Sequence, residues 1–241
     1  SSRSVYACKG NKIKMSYVIV YNHPWCRNLA ERLVTKTGEK FVAIDNKKDL
    51  NRDYLNNINP KYIFFPHWSY IIPKEIYESF NCIIFHMTDL PYGRGGSPLQ
   101  NLIFRGHKNT KISAIKCVEK VDAGPIYIKK PLNLDGSAEE ILIRANQIME
   151  KMIIEILDTN PQPKPQKGEV VNFTRRKSGD GDWSGTESLD EVYDYIRMLD
   201  ADGYPPAFVR IGDYKLEFSG AFRKVGAVDA DVRITRKTRN E

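Results

Sequence analysis

The sequence predicts an α/β protein built on a mostly parallel sheet, followed by a small α+β region. Short, continuously apolar runs alternate with helical segments in the N-terminal part of the chain. Strands of that composition belong to parallel sheets that are buried on both faces. The segment 160–168 contains three prolines and predicts a linker. We therefore expect one domain over residues 1–168 and a second region over 169–241.

The predicted elements follow from the spacing of apolar residues and from the turn formers between them. In the first domain we expect strands at 16–21, 41–44, 62–65, 83–85, 111–118 and 125–130, and helices at 25–37, 50–58, 73–80 and 99–105. Gly38 is a natural end for the first helix. A long amphipathic helix begins at Ser137, where Glu140 completes a capping box.

The region after the linker has a different pattern. It predicts a strand at 170–175 and a helix at 189–199. A hairpin follows, whose strands at 207–211 and 215–218 flank a Gly-Asp turn. At roughly 70 residues, this region is too short to be a large second domain.

The composition is that of an ordinary globular chain. The 241 residues are 41% hydrophobic and 28% charged, and no apolar run is long enough to span a membrane. Residues 1–14 have no secretory signal, and they are either an additional edge segment or not native to the protein. The four cysteines, Cys8, Cys26, Cys82 and Cys117, form no Cys-x-x-Cys pair. We therefore expect a reduced, cytoplasmic protein without zinc or disulfides, with Cys82 and Cys117 buried.

The net charge is +7, with an excess of basic residues near the C-terminus. These residues are Arg223, Lys224, Arg233, Arg236, Lys237 and Arg239. The excess favours an anionic partner such as a nucleotide, a phosphorylated metabolite or a nucleic acid. A solvated basic tail explains it equally well, so charge alone identifies no partner.

The segment 85–98 (FHMTDLPYGRGGSP) is the first candidate for a functional site. An apolar run ends at His86, and residues 91–98 are so rich in glycine and proline that we expect a flexible loop. Open α/β sheets present ligand-binding residues in this way, at the carboxyl end of a strand. A histidine in such a place is also often structural, so the position alone does not assign a function.

Asp122 is the second candidate, in the turn V-D-A-G-P at 121–125. It follows a predicted strand that is a plausible neighbour of the strand carrying His86, which would place both residues at one edge of the sheet. A histidine and a carboxylate form a general acid–base pair, in which the carboxylate orients the imidazole and stabilises its charged form. The alternative is a turn-forming aspartate that bonds its own backbone.

Other patterns admit both a functional and a structural interpretation. The glycines at 93–96 resemble a phosphate-binding loop, but Pro98 stands where a dinucleotide fingerprint needs its third glycine, so a mobile substrate loop is expected. His23 and His67 follow predicted strands, where they either contact a ligand or cap a turn.

An EF-hand pattern spans residues 180–191. Asp180, Asp182, Ser184, Gly185 and Glu191 occupy suitable places. Glu187, however, stands where a hydrophobic residue is usual, and a strand-like segment precedes the loop instead of a helix. We therefore expect no metal.

Residues 62–183 resemble the formyltransferase family that uses 10-formyltetrahydrofolate, which includes methionyl-tRNA formyltransferase, glycinamide ribonucleotide transformylase and the sugar N-formyltransferases. The family motif C-I-N-x-H-x-S-x-L-P-x-x-x-G is similar to 82–91 with the glycines that follow. The motif P-I-Q-x-x-I-x-x-G is similar to 98–106, and D-x-G-x-I matches 122–126. An I-L-P loop, which wraps the pterin in the family, matches 71–73.

The resemblance implies a Rossmann-like formyltransferase core and attack of a substrate amine on the formyl carbon. His86 would assist proton transfer and stabilise the tetrahedral intermediate, and Asp122 would hold a water or the imidazole. The pterin of 10-formyltetrahydrofolate would be held largely by backbone groups. The residues implied for that role are Trp68, Tyr70, Ile71, Ile72, Pro73 and Val121.

The chain departs from the family pattern at Ile84, where the family has a catalytic asparagine two residues before the histidine. That amide helps to stabilise the developing oxyanion, and loss of one such donor costs about 10²–10³-fold in rate. Either another donor has replaced it, with Thr88, Gln100 and Asn101 as candidates, or formyl transfer is altered or lost.

For the acceptor we predict the amine of a nucleotide-linked amino sugar. The tRNA-directed members carry a larger C-terminal β-barrel and a basic insertion, whereas this chain has a short C-terminal region and only Arg94 as a basic residue after Pro91. Nucleic acid is therefore not expected as a partner. The stretch 198–208 is similar to the C-terminal part of the sugar enzymes.

The predicted substrate contacts are Arg94, Gly95, Gln100, Arg175 and Arg176. The alternatives are hydrolysis of the formyl-folate, formylation of another amine (methionyl-tRNA included), and a non-catalytic folate- or nucleotide-binding module. A homodimer is compatible with each of these readings, and no membrane partner is expected.

Overall fold

The computed structural model describes residues 5–6 and 14–236, so Cys8, Lys237, Arg239 and most of the segment 1–14 lie outside the described residues. The strands are β1 (Val5–Tyr6), β2 (Ser16–Val20), β3 (Lys40–Ile44), β4 (Tyr62–Phe65), β5 (Cys82–His86), β6 (Tyr92–Gly95), β7 (Asn109–Lys116), β8 (Ile126–Asn133), β9 (Val171–Phe173), β10 (Ala207–Ile211), β11 (Tyr214–Lys224) and β12 (Ala227–Arg236). The α-helices are α1 (Leu29–Thr37), α2 (Arg52–Ile58), α3 (Lys74–Ser79), α4 (Pro98–Phe104), α5 (Ala138–Thr159) and α6 (Leu189–Leu199).

The largest sheet of the described chain has seven strands in the order β1-β3-β2-β4-β5-β7-β8. Its centre is parallel, because β3, β2, β4 and β5 run in the same direction. Strand β1 pairs antiparallel with β3 at one edge, and β7 pairs antiparallel with β5. The prediction of an α/β protein with a mostly parallel sheet is therefore confirmed. Val5–Tyr6 shows that part of the N-terminal segment forms an edge strand.

The continuous apolar runs become strands that are buried on both faces. Strand β4 is buried along its whole length, and β2 is buried from Tyr17 onward. Because neighbouring side chains of a strand point to opposite faces, this unbroken burial requires a cover on each side of the sheet. Cys82 and Cys117 are both buried in this core, as predicted, and the Cys117 N–H donates to the Cys82 carbonyl oxygen at 2.9 Å.

The helix ends follow their sequence signals. Gly38 ends α1 with a φ of +72°, which glycine adopts without strain. The Glu140 carboxylate accepts the Ser137 N–H at 2.8 Å and the Ser137 hydroxyl accepts the Glu140 N–H at 3.2 Å, so the predicted capping box precedes α5. No helix of the described chain is both long enough and apolar enough to cross a bilayer.

The chain divides into two compact units, each assembled from several segments. The first unit comprises residues 1–94, 111–132 and 144–171, and the second comprises 95–110, 133–143 and 172–241. The division into domains at residue 168 stays a prediction. Segments from the first half of the chain belong to the second unit, which no sequence pattern indicated.

The second unit contains the antiparallel sheet β10-β11-β12 and helix α6. The predicted hairpin is present, since β10 pairs with β11. Its second strand was predicted too short, because β11 continues to Lys224 and pairs with β12, a strand that the sequence analysis missed. The alternation of Val228, Ala230, Val232 and Ile234 is the signal for β12. The basic residues between them favoured a solvated tail instead.

The expectation of a flexible loop at 91–98 is wrong. Residues 92–95 form β6, and helix α4 begins at Pro98. Strand β6 pairs with β9. A Cβ atom at Gly95 would lie 2.4 Å from the carbonyl oxygen of Phe173, so glycine permits the close approach of the two strands rather than flexibility.

The proline-rich segment 160–168 is held against β8 rather than free. Its Lys164 exchanges two backbone hydrogen bonds with Ile126, at 2.7 and 2.8 Å. The linker interpretation was right that this segment has no regular structure. Its place between two domains stays a prediction, and the structure adds that this stiffened segment is bonded to β8.

Candidate active site at the end of strand β5

Strand β5 delivers His86 to the carboxyl end of the parallel sheet. The strand lies between β4 and β7, and its last residue, His86, is paired with Ser113 of β7. Side chains alternate along a strand, so Ile84 and His86 share one face. This is the edge of an open α/β sheet at which ligands bind.

Oxygen atoms face both ring nitrogens of the buried His86. Its Nδ1 lies 3.6 Å from Oδ2 of Asp122, and its Nε2 lies 2.7 Å from the carbonyl oxygen of Gly93. A carbonyl oxygen only accepts, so Nε2 carries the proton of that hydrogen bond. The Asp122 contact is longer than a hydrogen bond and is electrostatic. The structure thus brings the two predicted catalytic residues together, while their roles stay predictions.

The turn that carries Asp122 is built for one conformation. Asp122 has a φ of +51°, in the left-handed region that aspartate tolerates better than most residues. A Cβ atom at Gly124 would lie 1.7 Å from the carbonyl oxygen of Lys116. The turn therefore lies directly against the end of β7, and its backbone sets the direction in which the Asp122 carboxylate leaves the chain.

Gln166 connects two parts of this site. Its Nε2 donates to the carbonyl oxygens of Asp122 at 2.7 Å and Gly124 at 2.9 Å. Its Oε1 accepts hydrogen bonds from Nε and Nη2 of Arg94 at 3.1 and 2.6 Å. Arg94, predicted to bind substrate, thus contacts Gln166. No sequence pattern indicated Gln166, because a glutamine among prolines carries no signal until the path of the segment is known.

Thr88 is the candidate replacement for the family asparagine that lies beside His86. Its hydroxyl donates to the Gly93 carbonyl oxygen at 3.3 Å, the same oxygen that His86 contacts. Ile84, at the asparagine position, packs its side chain against the hydrophobic core of the first unit. The donor that Ile84 cannot supply has therefore a possible substitute four residues further along the chain.

The other two candidate replacements belong to the second unit, where their amide groups are engaged. Gln100 Nε2 donates to the Met198 carbonyl oxygen at 3.1 Å. Asn101 Nδ2 lies within 3.0 Å of three carbonyl oxygens, and these belong to Gly96, Ser97 and Thr174. Both amides therefore act as structural donors inside that unit. Whether Gln100 also contacts substrate stays a prediction.

The segment predicted to hold the pterin follows β4 and leaves apolar surface open. Trp68 packs edge-on against Tyr70, with the ring centroids 5.0 Å apart, and Pro73 precedes α3. Ile72 is buried in the core, whereas Ile71 is 87% exposed. Val121, the residue before Asp122, is 63% exposed.

The remaining predicted substrate contacts, Gly95, Arg175 and Arg176, lie in the second unit. The guanidinium of Arg176 stacks on Phe104 at 4.7 Å, and its Nη2 donates to the Asp180 carbonyl oxygen at 2.6 Å. Arg176 thus has a structural role within the unit. The part that these three residues play in substrate binding stays a prediction.

The two other histidines at strand ends have structural contacts. His23 Nε2 lies 3.0 Å from the Ser69 hydroxyl, and its ring stacks on Trp25. His67 Nε2 is buried and has no hydrogen-bond partner among the described residues. Burial, followed by the neighbouring His23, lowers the pKa of His67 to about 3. His67 is therefore a neutral packing residue at ordinary pH.

The EF-hand pattern has a structural explanation. Glu191 accepts the Ser188 N–H at 3.2 Å in the capping box of α6, and Asp182 accepts the Ser184 N–H at 3.0 Å. These carboxylates thus serve the local backbone. Within residues 14–236, no group of three or more His, Cys, Asp or Glu side chains is arranged to hold a metal ion.

A buried histidine beside an aspartate, at the ligand edge of an α/β sheet, is typical of an enzyme that moves protons. Two family models match the chain. A model described as formyl transferase matches residues 6–157. A model described as methionyl-tRNA formyltransferase, C-terminal domain, matches residues 178–235. The chain belongs to the formyl transferase family, as the motifs around His86 and Asp122 predicted. The Rossmann-like formyltransferase core is thereby confirmed.

Solved structures and curated proteins that are similar to this chain carry formyltransferase names. A solved methionyl-tRNA formyltransferase from Clostridium thermocellum is 49% identical, with a TM-score of 0.89 over 92% of this chain and 99% of that one. A solved sugar N-formyltransferase from Shewanella is 17% identical, with a TM-score of 0.65 over 88% and 99% of the two chains, which shows a shared fold. The methionyl-tRNA formyltransferase of Thermodesulfovibrio yellowstonii is 29% identical over 59% of this chain and 49% of its own length. The chain thus spans about half the length of the curated relatives it matches.

Proposed function

We propose that this protein transfers a formyl group from 10-formyltetrahydrofolate to a primary amine. The observation that carries the proposal is the placement of His86 between the Asp122 carboxylate and the Gly93 carbonyl oxygen. A histidine with an acceptor on each nitrogen can donate one proton to a developing oxyanion while the carboxylate stabilises its positive charge. The formyl transferase family, to which the chain belongs, uses formyl-tetrahydrofolate as the donor.

The proposed reaction needs two proton movements. The acceptor nitrogen attacks the formyl carbon, and the formyl oxygen gains the negative charge. The His86 Nε2–H would stabilise that charge by exchanging the Gly93 carbonyl oxygen for the formyl oxygen. The bond from the formyl carbon to the donor nitrogen then breaks. The proton lost by the amine passes, by way of the His86 and Asp122 pair, to the departing nitrogen of tetrahydrofolate. Formylated amine and tetrahydrofolate leave with no change of oxidation state.

The exposed apolar residues support folate binding in the first unit. Ile71 and Val121 expose most of their side chains, although both are apolar. Covering them with a pterin ring would remove that surface from water, which contributes roughly 25 cal/mol per Å². Backbone groups beside Val121 would then form hydrogen bonds with the polar atoms of the pterin ring, as the family resemblance implies.

We propose a nucleotide-linked amino sugar as the acceptor. Four basic residues of the C-terminal sheet have an acidic side chain within 4.0 Å. The pairs are Lys215–Glu217, Arg223–Asp190, Lys224–Asp229 and Arg236–Asp213. A surface of alternating charge is a poor platform for an RNA backbone, whose binding depends on many unpaired cations. A small acceptor with one diphosphate requires only a few basic groups.

Methionyl-tRNA is the second candidate acceptor, and a specific observation favours it. The Clostridium thermocellum protein, 49% identical over nearly its whole length, carries the name methionyl-tRNA formyltransferase. The match of residues 178–235 to a C-terminal domain of the same name agrees with it. The chain spans about half the length of the curated relatives it matches, so the name alone does not decide between the two acceptors.

The test is tetrahydrofolate release from 10-formyltetrahydrofolate, measured alone, with a panel of nucleotide-linked amino sugars, and with methionyl-tRNA. We expect release only when an amino sugar is present, and a loss of at least about 10²-fold in His86→Gln. His107→Gln, in the second unit, is the matched control and should retain activity.

Each other outcome selects an alternative. Release that depends on methionyl-tRNA alone would replace the proposed acceptor by the second candidate. Release without any acceptor, lost in His86→Gln, would identify a formyl-folate hydrolase. Tight folate binding without turnover under every condition would identify a non-catalytic binding module, in which Ile84 has not been compensated.

A further inference from the structure

We infer that Gln166 is a positioning residue for the imidazole of His86, an inference that rests on the proposed formyl transfer. The ring of His86 has two neighbours, the Asp122 carboxylate and the Gly93 carbonyl oxygen. Gln166 bonds the backbone of Asp122 with one end of its amide and the side chain of Arg94, the residue after Gly93, with the other. One side chain is therefore connected to both flanks of the proposed catalytic histidine.

The donor end of Gln166 holds the turn that carries Asp122. Its Nε2 bonds the carbonyl oxygens of Asp122 and Gly124, at 2.7 and 2.9 Å. The other end of the turn is held by Gly124, which lies against the end of β7, whereas Asp122 is in the strained left-handed region. Removal of the Gln166 amide would release two carbonyl oxygens and allow this turn to rotate. Such rotation would change the 3.6 Å separation of Asp122 Oδ2 and His86 Nδ1.

The acceptor end of Gln166 holds the peptide group on the Gly93 side of the His86 ring. Its Oε1 accepts two hydrogen bonds from Arg94, at 3.1 Å from Nε and 2.6 Å from Nη2. This fork fixes Arg94 and with it the peptide that joins Arg94 to Gly93. The Gly93 carbonyl oxygen, which holds the His86 Nε2–H and the Thr88 hydroxyl, is the oxygen of that peptide. Both ring contacts of His86 thus depend on the same glutamine.

Gln166 can hold the site because its own segment is rigid. Prolines at 161, 163 and 165 restrict the backbone before it. Lys164, two residues earlier, exchanges two backbone hydrogen bonds with Ile126 of β8. The backbone at Gln166 is therefore held in place, and a residue that supports an active site requires such a rigid backbone.

Gln162 is a matched control in the same segment. It is the same residue type, it is exposed, and it forms no side-chain hydrogen bond within the described part of the chain. We expect Gln166→Leu to lower kcat by about 10- to 100-fold, since an error of about 1 Å in a catalytic group costs that much. Gln162→Leu should match the wild type.

A second variant separates the two ends of the amide. Gln166→Glu keeps an acceptor for Arg94 but has no donor for the carbonyl oxygens of Asp122 and Gly124. We expect it to lose activity as Gln166→Leu does. Wild-type kcat in Gln166→Glu would overturn the role assigned to the donor end, and wild-type kcat in Gln166→Leu would overturn the whole inference.

The Asp122→Asn background tests whether Gln166 acts through the site. If Gln166 positions Asp122 and His86, Gln166→Leu should reduce kcat much less in that background than in the wild type. If Gln166→Leu reduced kcat by the same factor in the wild type and in Asp122→Asn, Gln166 would act elsewhere and the inference would be overturned.

Nuclear magnetic resonance of the imidazole nitrogens gives a readout that does not depend on turnover. The His86 signals, assigned with His86→Gln, should move in Gln166→Leu and Gln166→Glu and stay in place in Gln162→Leu. Unmoved signals in both Gln166 variants would overturn the inference even if the enzyme is active. If the wild type transfers no formyl group to any acceptor, the proposed function fails, whereas moved signals would still show that Gln166 positions the ring.

Discussion

At the scale of single residues, the site depends on which oxygen atoms face His86. Asp122 and Gly93 present a carboxylate and a carbonyl to its two nitrogens, and Thr88 donates to the same carbonyl. His86 and Thr88 thus share one acceptor, the Gly93 carbonyl oxygen, next to Ile84, which stands where the family has asparagine.

Thr88→Val tests the hydroxyl at nearly constant shape. If the Thr88 hydroxyl has taken over from the missing asparagine, kcat should fall by about 10²–10³-fold with little change in the KM for 10-formyltetrahydrofolate. Steady-state kinetics of Thr88→Val and Thr88→Ser measure this, and the serine variant should keep most of the activity. An unchanged kcat in Thr88→Val, with the fold intact by circular dichroism, would leave the hydroxyl with a structural role only.

His67 should make the protein less stable in mild acid. Burial lowers its pKa from 6.5 to about 3 in the folded chain. As the pH falls below 6.5, the unfolded chain binds a proton at His67 and the folded chain does not. The free energy of unfolding should therefore decrease by up to about 1.4 kcal/mol per pH unit.

Urea unfolding between pH 7 and pH 4.5, compared with His67→Asn, measures this slope. Asparagine suits the φ of +51° at this position and does not titrate. The difference in slope between the two proteins isolates His67 from the carboxylates that also titrate in acid. Parallel pH profiles would mean that His67 is protonated equally in the folded and unfolded chains.

At the scale of elements, strands and turns position the site more than helices do. Strand β5 supplies His86, the turn after β7 supplies Asp122, and the end of β6 supplies Arg94. The proline-rich segment then supplies Gln166, which contacts the second and third of these. The site is therefore formed where chain segments that are distant in sequence meet.

Gly124→Ala should show how tightly the turn is packed. The added methyl group would lie 1.7 Å from the Lys116 carbonyl oxygen, so the turn or the strand must move. We expect a loss of about 3 kcal/mol in the free energy of unfolding, together with reduced kcat, because Asp122 moves with the turn. Denaturant titration measures the change in the free energy of unfolding.

Gly185→Ala is the control for that substitution. An added methyl group at Gly185 meets no atom within 4 Å, and its φ is ordinary. We expect a change within about 0.5 kcal/mol. Equal stability of the two alanine variants would contradict the close approach of the turn to β7.

At the scale of the whole molecule, the two compact units interleave along the chain. Residues 95–110 and 133–143 belong with 172–241, so the second unit cannot be cut out as one piece. Hydrogen bonds inside that unit join distant segments, from Gln100 to Met198 and from Arg197 to Leu134. The second unit is therefore not one continuous stretch of the chain, and the predicted division at residue 168 stays to be tested.

A chain ended at residue 168 tests this. We expect the fragment 1–168 to lose cooperative unfolding and to bind a hydrophobic dye, because the buried face of α4 loses its cover from α6. Co-expression with 169–241 should restore cooperative unfolding, which serves as the control. Two-state unfolding of the fragment on its own would instead support the predicted domain at 1–168.

The sequence by itself determined the architecture of the first unit and the two central residues of the site. Continuous apolar runs require burial on both faces, which is why the parallel strands were placed nearly to the residue. His86 and Asp122 were predicted because their motifs resemble those of the family, and the structure places Nδ1 of His86 3.6 Å from Oδ2 of Asp122, while their catalytic roles stay predictions. The β12 strand was missed although its alternation was visible, since its charges favoured a tail.

Only the tertiary structure decided how the segments meet. It showed that residues 92–95, predicted as a flexible loop, form β6. It also showed that Gln166, in the predicted linker, bonds the Asp122 turn and Arg94. The physical reason is that local propensity acts over a few residues, whereas a hydrogen bond between residues 44 or 72 positions apart depends on where the rest of the chain has packed.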